Sequence, residues 1–349
     1  MNRNSSLDML KGIGIFLVVL GHATFVNEKI ITYIFSFHMP LFFIVSGILM
    51  NLTYKEDLTI KMFLTKKLRS IGIPYLCFSI CYTIIDFLSV YFKQISLQDL
   101  KINAVCTISL AGSGPLWFLP TLFFAELVLF VLVKKFKTNK LIGVTGIACG
   151  IVGLIGCFVF KPVFEANKAN LLTMFFMNFV VVILRSMLCQ IFLVPGSLLA
   201  SLLKKFNEKN AFSPIQLIIG IILLAIDFPL SLMNVNIDLH NLNYGNPLLF
   251  IICAYLGTIG LYLICNNIPS IKLIEFWGKN SLVIMITHLN FYYLFVGNLL
   301  AVRVNQYVTH AKSYIFLFNI IWVAMLLSSL TALLINRFTP WMIGKKKHK

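Results

Sequence analysis

Ten long apolar stretches make up most of this sequence, and little charge remains for a water-exposed surface. Of its 349 residues, 59% are hydrophobic and 12% are charged, which is about half the charged share of soluble domains. Stretches of about 17 to 25 apolar residues can cross a bilayer as helices. The sequence therefore predicts an all-α, polytopic membrane protein with spans at about 9–25, 32–50, 72–92, 115–134, 141–160, 171–202, 214–233, 246–265, 279–300 and 315–336.

The basic residues between the spans predict the orientation. With the N-terminus in the cytoplasm, 20 of the 29 Lys and Arg residues fall in cytoplasmic segments, 7 in outer loops and 2 in spans. Cytoplasmic loops of membrane proteins carry such a positive excess. We therefore expect a multi-pass protein of the plasma or inner membrane with both termini inside. The basic end KKKHK is expected to lie against anionic membrane lipid.

The composition also argues against several other classes of protein. The net charge of +17 comes without a basic helix or an RNA-binding motif, so we expect no nucleic-acid partner. The eight Cys residues lie mostly in apolar runs and form no CxxC pair, which favours small core side chains over a metal or disulfide site. The longest segments between spans, about 51–71 and 93–114, are too short for a separate domain. We expect one transmembrane domain over residues 1–349, with no soluble domain appended and no metal.

The sixth span is the longest, and it contains Arg185 and the pair Pro195-Gly196. A proline inside a helix removes one hydrogen bond and crowds the preceding turn. The sequence therefore predicts a tilted helix, or a helix broken at that pair.

Ionisable residues lie in the first apolar stretch, where each costs about 3 kcal/mol or more unless it faces protein or water. Lys11 and His22 are eleven positions apart, which at 100° per residue leaves them only about 20° apart around a helix. Both are therefore expected on one face. Asp8 precedes Lys11 by one turn and is predicted to pair with it. Gly12 allows another helix or an extended ligand to approach closely.

His38 lies in the second apolar stretch, which runs back in the opposite direction. On the predicted topology His22 and His38 both occupy the outer half of the membrane, so they could converge. A neutral imidazole can act as a general base toward a hydroxyl, or carry an acyl group as a nucleophile. The alternative is that each histidine only bonds to a neighbouring helix. Two histidines, with Lys11 in register, favour a functional role.

Five sequence blocks, in this order along the chain, resemble the integral-membrane acyltransferase family 3. They are LDMLKGIGIFLVVLGH, FHMPLFFIVSG, KKLRSIGIPY, GPLWFLPTLFFAEL and FWGKNSLVIMITH, and they span residues 7–288. Members of this family O-acylate cell-envelope glycans and other extracytoplasmic acceptors. The resemblance implies a membrane O-acyltransferase that moves an acyl group, usually acetyl from acetyl-CoA in the cytoplasm, to a sugar hydroxyl.

The resemblance also implies roles for individual residues. His22 matches the essential histidine of the family, and His38 matches the histidine of the FHMP block, so both are implied to be catalytic. Lys11 matches the basic residue eleven positions earlier, where the family more often has Arg; Lys supplies charge without a bidentate fork. Arg69 falls in a basic patch implied to contact the phosphates of the donor. Four residues of the later blocks are implied to support the site or contact the acceptor: Trp117, Glu126, Asn280 and His288. Asp8 is added as a supporting residue because of its predicted pairing with Lys11.

Considered without the family, several of these residues have more ordinary explanations. Lys67 and Arg69 fit positive-inside anchors as well as a phosphate site. Trp117 fits an interfacial aromatic belt as well as an acceptor platform. Glu126 is near the middle of its span and needs a partner, and we predict a structural ion pair with Arg185.

A transporter or flippase for a lipid-linked glycan is the main alternative function, because the stripe from Lys11 to His22 could line a pathway. Many transporters are built from internal repeats, and this sequence has no convincing one. A glycan polymerase would be expected to carry a large outer loop, which this sequence does not have. The sequence identifies no protein partner. We therefore expect an acyltransferase surrounded by membrane lipid, with a surface polysaccharide or a lipid-linked glycan as acceptor.

Overall fold

The computed structural model of the protein describes residues 4–24, 26–207, 213–307 and 313–345. The described residues are 82% helical and contain no β-strand, so the predicted all-α fold is confirmed. The α-helices are α1 (Ser5–Gly21), α2 (Glu28–Thr53), α3 (Ile60–Lys67), α4 (Ile73–Tyr91), α5 (Leu97–Ile108), α6 (Phe118–Lys135), α7 (Asn139–Asn167), α8 (Leu171–Leu188), α9 (Gln190–Asn207), α10 (Pro214–Ser231), α11 (Pro247–Asn267), α12 (Lys272–Lys279), α13 (Ser281–Asn290), α14 (Tyr293–Tyr307) and α15 (Ser313–Phe338). A π-helical turn covers Leu68–Gly72, and short 3-10 helices cover Gly114–Trp117 and Pro340–Ile343.

Eight helical segments of the described chain are long and apolar enough to cross a membrane. They are Glu28–Thr53, Ile60–Tyr91, Gly114–Lys135, Asn139–Asn167, Leu171–Ala200, Pro214–Ser231, Pro247–Asn267 and Ile320–Phe338. A ninth candidate consists of Ser281–Asn290 and Tyr293–Arg303, which meet at a bend of 61°. The first predicted span falls on α1, which with 17 residues is shorter than each of these eight segments. Every predicted span thus lies on helical residues, the sixth and the ninth on more than one α-helix, while the count of ten crossings and their orientation stay predictions.

The sixth predicted span is interrupted, but not at the proline. Helix α8 ends at Leu188 and α9 begins at Gln190, so the break lies at Cys189. Pro195 lies inside α9, and the predicted break at Pro195-Gly196 is therefore wrong. A proline disturbs the turns that precede it, because its ring crowds the carbonyl four residues earlier and its nitrogen donates no hydrogen bond. The irregularity accordingly appears on the N-terminal side of the proline.

The helices form two compact units, each assembled from two separate parts of the chain. The first unit comprises Met1–Val45 and Lys205–Leu334, and the second comprises Ser46–Lys204 and Ile335–Lys349. Within the first unit, α1 packs along α12 and α10 packs along α11. Within the second unit, α8 packs against α5, α6 and α7.

Two glycines permit the close contact between α1 and α12 in the first unit. A Cβ atom at Gly12 would collide with the backbone carbonyl of Ile274, and one at Gly278 would collide with the backbone carbonyl of Asp8. Helices approach this closely only where small residues meet. The close approach predicted at Gly12 is therefore confirmed, and it fixes the helix that leads to His22.

Candidate functional site

Three histidines come together in the first unit. His22 directly follows α1, His38 lies in α2, and His288 lies in α13. The ring centres of His22 and His288 are 5.2 Å apart. The ring of Phe35 contacts both His22 and His38, with ring-centre distances of 5.7 Å and 4.7 Å. The convergence expected for His22 and His38 is therefore present, and His288 joins them.

The three imidazoles are held in the same way. In each ring, Nδ1 lies within hydrogen-bond distance of the backbone carbonyl oxygen four residues earlier, at 2.8 Å for His22, 2.9 Å for His38 and 3.1 Å for His288. A carbonyl oxygen can only accept, so Nδ1 is the protonated donor. In a neutral imidazole Nε2 then carries a free lone pair. Each ring therefore presents Nε2 as a base or hydrogen-bond acceptor.

The three rings differ in accessibility. His38 is 3% exposed and His288 is 0% exposed, whereas His22 is exposed. Of the three rings, His22 is therefore the one most open to contact with a substrate. Because a charged imidazole is costly to bury, His22 is also the ring best suited to take up a proton.

A loop between α10 and α11 brings a carboxylate toward the histidines. Asp238 lies within electrostatic range of both His22 and His38. Two backbone hydrogen bonds with Asn243, of 2.7 Å and 2.8 Å, fix its position. Its carboxylate accepts hydrogen bonds from the backbone and the side chain of Asn241, at 3.1 Å and 2.7 Å. The loop therefore holds a negative charge near the cluster in a defined position.

Asp238 is not among the site residues that the sequence predicts, because it belongs to no motif and follows the end of a span. The sequence did contain one local signal, because apolar and polar residues alternate from Ile237 to His240. In the structure, Ile237 and Leu239 are 1% and 3% exposed, while Asp238 and His240 beside them are not buried. Such alternation is typical of an extended segment with one buried face, and it distinguishes this loop from a freely solvated connection.

Lys11 pairs with Asp8, as the sequence predicts. Their Nζ and Oδ1 atoms are 2.9 Å apart, and Asp8 is buried. The side chain of Asn4 caps the start of α1 by accepting a hydrogen bond from the backbone N–H of Leu7 at 3.1 Å. Helix α1 therefore begins before the predicted span 9–25, and it also ends before it, at Gly21. Of the three donors of the Lys11 ammonium, one is directed at this carboxylate.

Glu126 pairs with Lys67 in the second unit. Its Oε2 lies 2.7 Å from Nζ of Lys67, and its Oε1 accepts the hydroxyl of Ser46 at 2.6 Å. Arg185 instead donates Nε to the hydroxyl of Thr121 at 2.9 Å. The predicted Glu126–Arg185 ion pair is therefore wrong, and Lys67 is more than a cytoplasmic anchor.

The docking of α3 on α6 explains this change of partner. Phe63 stacks on Phe130 with ring centres 4.2 Å apart, which places the end of α3 beside Glu126. The long aliphatic stem of Lys67 can then cross apolar surface and deliver its ammonium to the buried carboxylate. In the sequence, Lys67 belongs to a charged segment between two predicted spans, so its contact with Glu126 could not be predicted from the sequence.

Trp117 is buried, with 8% of its surface exposed. The guanidinium carbon of Arg185 lies 4.7 Å from the centre of its ring, which is cation–π geometry. A tryptophan of an interfacial belt would face lipid headgroups, so that alternative is wrong. Its role as an acceptor platform stays a prediction.

Arg69 and Asn280 lie at irregular points of the backbone. Arg69 is exposed in the π-helical turn, a type of turn that is frequent at functional sites, and its Nε donates to the carbonyl of Gly344 at 2.8 Å. Asn280 lies between α12 and α13 and donates its side-chain amide to the carbonyl of Phe276 at 2.9 Å. The described residues contain no group of three or more His, Cys, Asp or Glu that could hold a metal ion.

Comparison with known proteins identifies one family. A family model described as an acyltransferase domain matches residues 4–335, which include every candidate site residue named above except Gly344. No curated protein and no solved structure matches the chain.

Proposed function

The chain belongs to the acyltransferase family 3 and is a membrane acyltransferase, and from that premise we propose that it moves an acetyl group from acetyl-CoA to a hydroxyl of an extracytoplasmic or lipid-linked glycan. Family membership also favours an acyltransferase over the transporter or the polymerase considered from the sequence. The observation that carries the finer proposal is His22, an exposed imidazole with Nδ1 bonded to its own helix and Nε2 free. Such a ring is suited to activate a hydroxyl.

In the proposed reaction, Nε2 of His22 takes the proton of the acceptor hydroxyl while the hydroxyl oxygen attacks the thioester carbon. The carbon–sulfur bond breaks, and the departing thiolate takes up the proton from His22. In the alternative order, Nε2 attacks the thioester carbon first, and the carbon–sulfur bond breaks to release the thiolate. The hydroxyl oxygen then displaces the acyl group from the ring, and the hydroxyl proton passes to the thiolate. Both routes use the same lone pair, which the Nδ1 bond to the Val18 carbonyl leaves free.

The other candidate residues receive supporting roles in this proposal. Arg69 is exposed, and its guanidinium can bind a phosphate of the donor with two parallel N–H groups. Lys11, with Asp8 beside it, is proposed to attract the donor with its compact positive charge. His38 is buried, and it is proposed to orient the acceptor through its Nε2 lone pair. Asp238 is proposed to favour the imidazolium that forms on His22, since an opposite charge stabilises it.

Replacing His22 tests the proposal directly. We expect His22→Gln to lower acetyl transfer by about 100-fold or more, because a positioned general base contributes about that much. The assay would follow thiol release from acetyl-CoA by the purified protein in lipid nanodiscs, with and without the glycan extracted from the source cell envelope. Thermal unfolding of the variant should match that of the original protein.

His240→Gln is the matched control, since His240 lies in the loop that follows α10 and has no role in the proposed reaction. It should transfer acetyl groups at the original rate. Normal acetylation of the glycan by a folded His22→Gln protein would overturn the proposed role of His22. Thiol release that never depends on any added glycan would overturn the glycan as acceptor.

A further inference from the structure

His288 is the most buried of the three histidines, and one of its nitrogens has no partner. The residue is 0% exposed, and its Nε2 is buried without a hydrogen bond. Its Nδ1 lies 3.1 Å from the carbonyl oxygen of Ile284 on its own helix. A buried polar atom without a partner is costly, and native proteins seldom keep one without a reason.

The imidazole of His22 lies beside that of His288. The two ring centres are 5.2 Å apart, and α1 packs directly against α13. Two imidazoles joined by an N–H···N hydrogen bond of about 3 Å have ring centres about 5 Å apart. The spacing is therefore that of a potential hydrogen-bonded pair, although no bond joins the rings here.

The tautomers explain why the bond is absent in the resting protein. Both rings carry their proton on Nδ1, where each donates to a carbonyl of its own helix. Both Nε2 atoms are therefore acceptors, and two acceptors cannot bond to each other. One added proton on Nε2 of His22 turns the pair into a donor and an acceptor.

We propose that His288 accepts a hydrogen bond from protonated Nε2 of His22, so that the two rings share the proton taken from the acceptor hydroxyl. This inference rests on the proposed function for its place in the reaction, and His288 acts in it as a positioning residue. The proton passes from the hydroxyl oxygen to His22 and then to the departing thiolate. His288 gains and loses only a hydrogen bond and ends each cycle neutral.

The other ionisable groups described near His22 are less suited to accept this hydrogen bond. His38 packs on the ring of Phe35, which also contacts His22, and the carboxylate of Asp238 already accepts two hydrogen bonds in its loop. Lys11 lies three turns away on α1 and is paired with Asp8. Positive charge on either buried histidine would repel positive charge on His22. The cluster is therefore suited to hold one proton at a time.

The test measures protonation of His22 without any substrate. Diethyl pyrocarbonate modifies the unprotonated imidazole, so the extent of modification of the His22 peptide, followed by mass spectrometry, rises with pH around a midpoint. We expect this midpoint to fall by about one pH unit in His288→Leu, because a hydrogen bond to a charged group is lost. In His288→Gln the amide oxygen reaches the place of Nε2, and the midpoint should stay within a few tenths of a unit of the original.

Two further variants guard against a merely structural effect. In His288→Asn the side chain is polar but too short to reach the Nε2 position, so the modification midpoint should fall as in the leucine variant. This variant replaces the leucine variant in the comparison if the latter folds poorly. Thr287→Val removes a buried hydroxyl of the same helix that bonds at 2.9 Å to the Val283 carbonyl, and it should leave the midpoint unchanged.

An unchanged midpoint in both His288→Leu and His288→Asn would overturn the shared proton. So would equal shifts in the glutamine, asparagine and valine variants, which would indicate a general disturbance of α13. If the original protein transfers no acetyl group, the proposed function fails by itself, and the modification experiment still decides whether the two rings share a proton. If transfer occurs, the acidic limb of its pH profile should move down in His288→Leu by the same amount as the modification midpoint.

Discussion

At the scale of single residues, the second unit shows how a membrane protein accommodates a buried acid. The side chain of Glu126 is only 4% exposed, and that of Lys67, which pairs with it, is 15% exposed. A buried charge whose partner is removed loses both the attraction and any access to water. The importance of the pair is therefore measured better by the cost of removing one member than by its own net strength.

We predict that Lys67→Met and Glu126→Gln each lower the free energy of unfolding by about 3 kcal/mol, because each leaves an uncompensated charge. The double variant should lose clearly less than the sum of the two single losses. Denaturant or thermal unfolding in one fixed detergent would measure all three proteins. Simple additivity in the double variant would show that the two side chains do not interact.

At the scale of helices, the sequence predicts the long apolar elements well and the short polar ones poorly. Each predicted span falls on helical residues, because about twenty apolar residues in a membrane must satisfy their own backbone hydrogen bonds. Helices α3, α5 and α12 have 8, 12 and 8 residues and lie in segments that hydropathy leaves unassigned. These short helices nevertheless determine several contacts, since α3 supplies Lys67 and α12 packs along α1.

The residues of the candidate site also divide into those that the sequence identifies and those that only the structure shows. His22, His38 and Lys11 could be picked out because an ionisable residue in an apolar stretch is costly wherever it occurs. The partners of Glu126 and the position of Asp238 could not, because they depend on side chains 59 or more residues away in the chain meeting in space. Local pattern thus finds candidate residues, and only tertiary packing assigns their neighbours.

Gly278 offers a prediction at this scale. We expect Gly278→Ala to lower the free energy of unfolding by about 1 to 3 kcal/mol, because the new Cβ would meet the Asp8 backbone and force α1 away from α12. Activity should fall with it, since α1 leads to His22. The measurements are thermal unfolding and acetyl transfer at saturating acetyl-CoA.

Gly143→Ala is the matched control for this substitution. Its new Cβ would meet only the end of the Leu198 side chain, at 3.3 Å, which can move aside. Equal losses in the two variants would show that the contact between α1 and α12 has no special importance.

At the scale of the whole molecule, the family match covers residues 4–335 and so includes parts of both compact units. Each unit is assembled from distant parts of the chain, an arrangement that hydropathy along the sequence does not reveal. Loop charge carries a different kind of information, because it concerns the side of the membrane on which each loop lies. The orientation therefore rests on the distribution of Lys and Arg and not on the fold.

We predict that residue 137 faces the cytoplasm and residue 241 the outside. In a background with the eight native cysteines replaced, Lys137→Cys should resist a membrane-impermeant maleimide in intact cells, while Asn241→Cys should react; both positions are exposed. After the membrane is opened, both should react. The opposite labelling pattern would reverse the orientation and place the loop of Asp238 inside the cell.

The bonds from the three Nδ1 atoms to their own helices have a consequence for the timing of entropy loss. A free imidazole samples several side-chain rotamers, and freezing it costs conformational entropy. Here that cost is met while the helices fold, because the carbonyl four residues earlier already holds each ring at 2.8 to 3.1 Å. A base fixed beforehand needs no reorganisation at the moment of reaction. Each turnover then begins with the rings in place, and the loss of their freedom belongs to the stability of the protein and not to the barrier of the reaction.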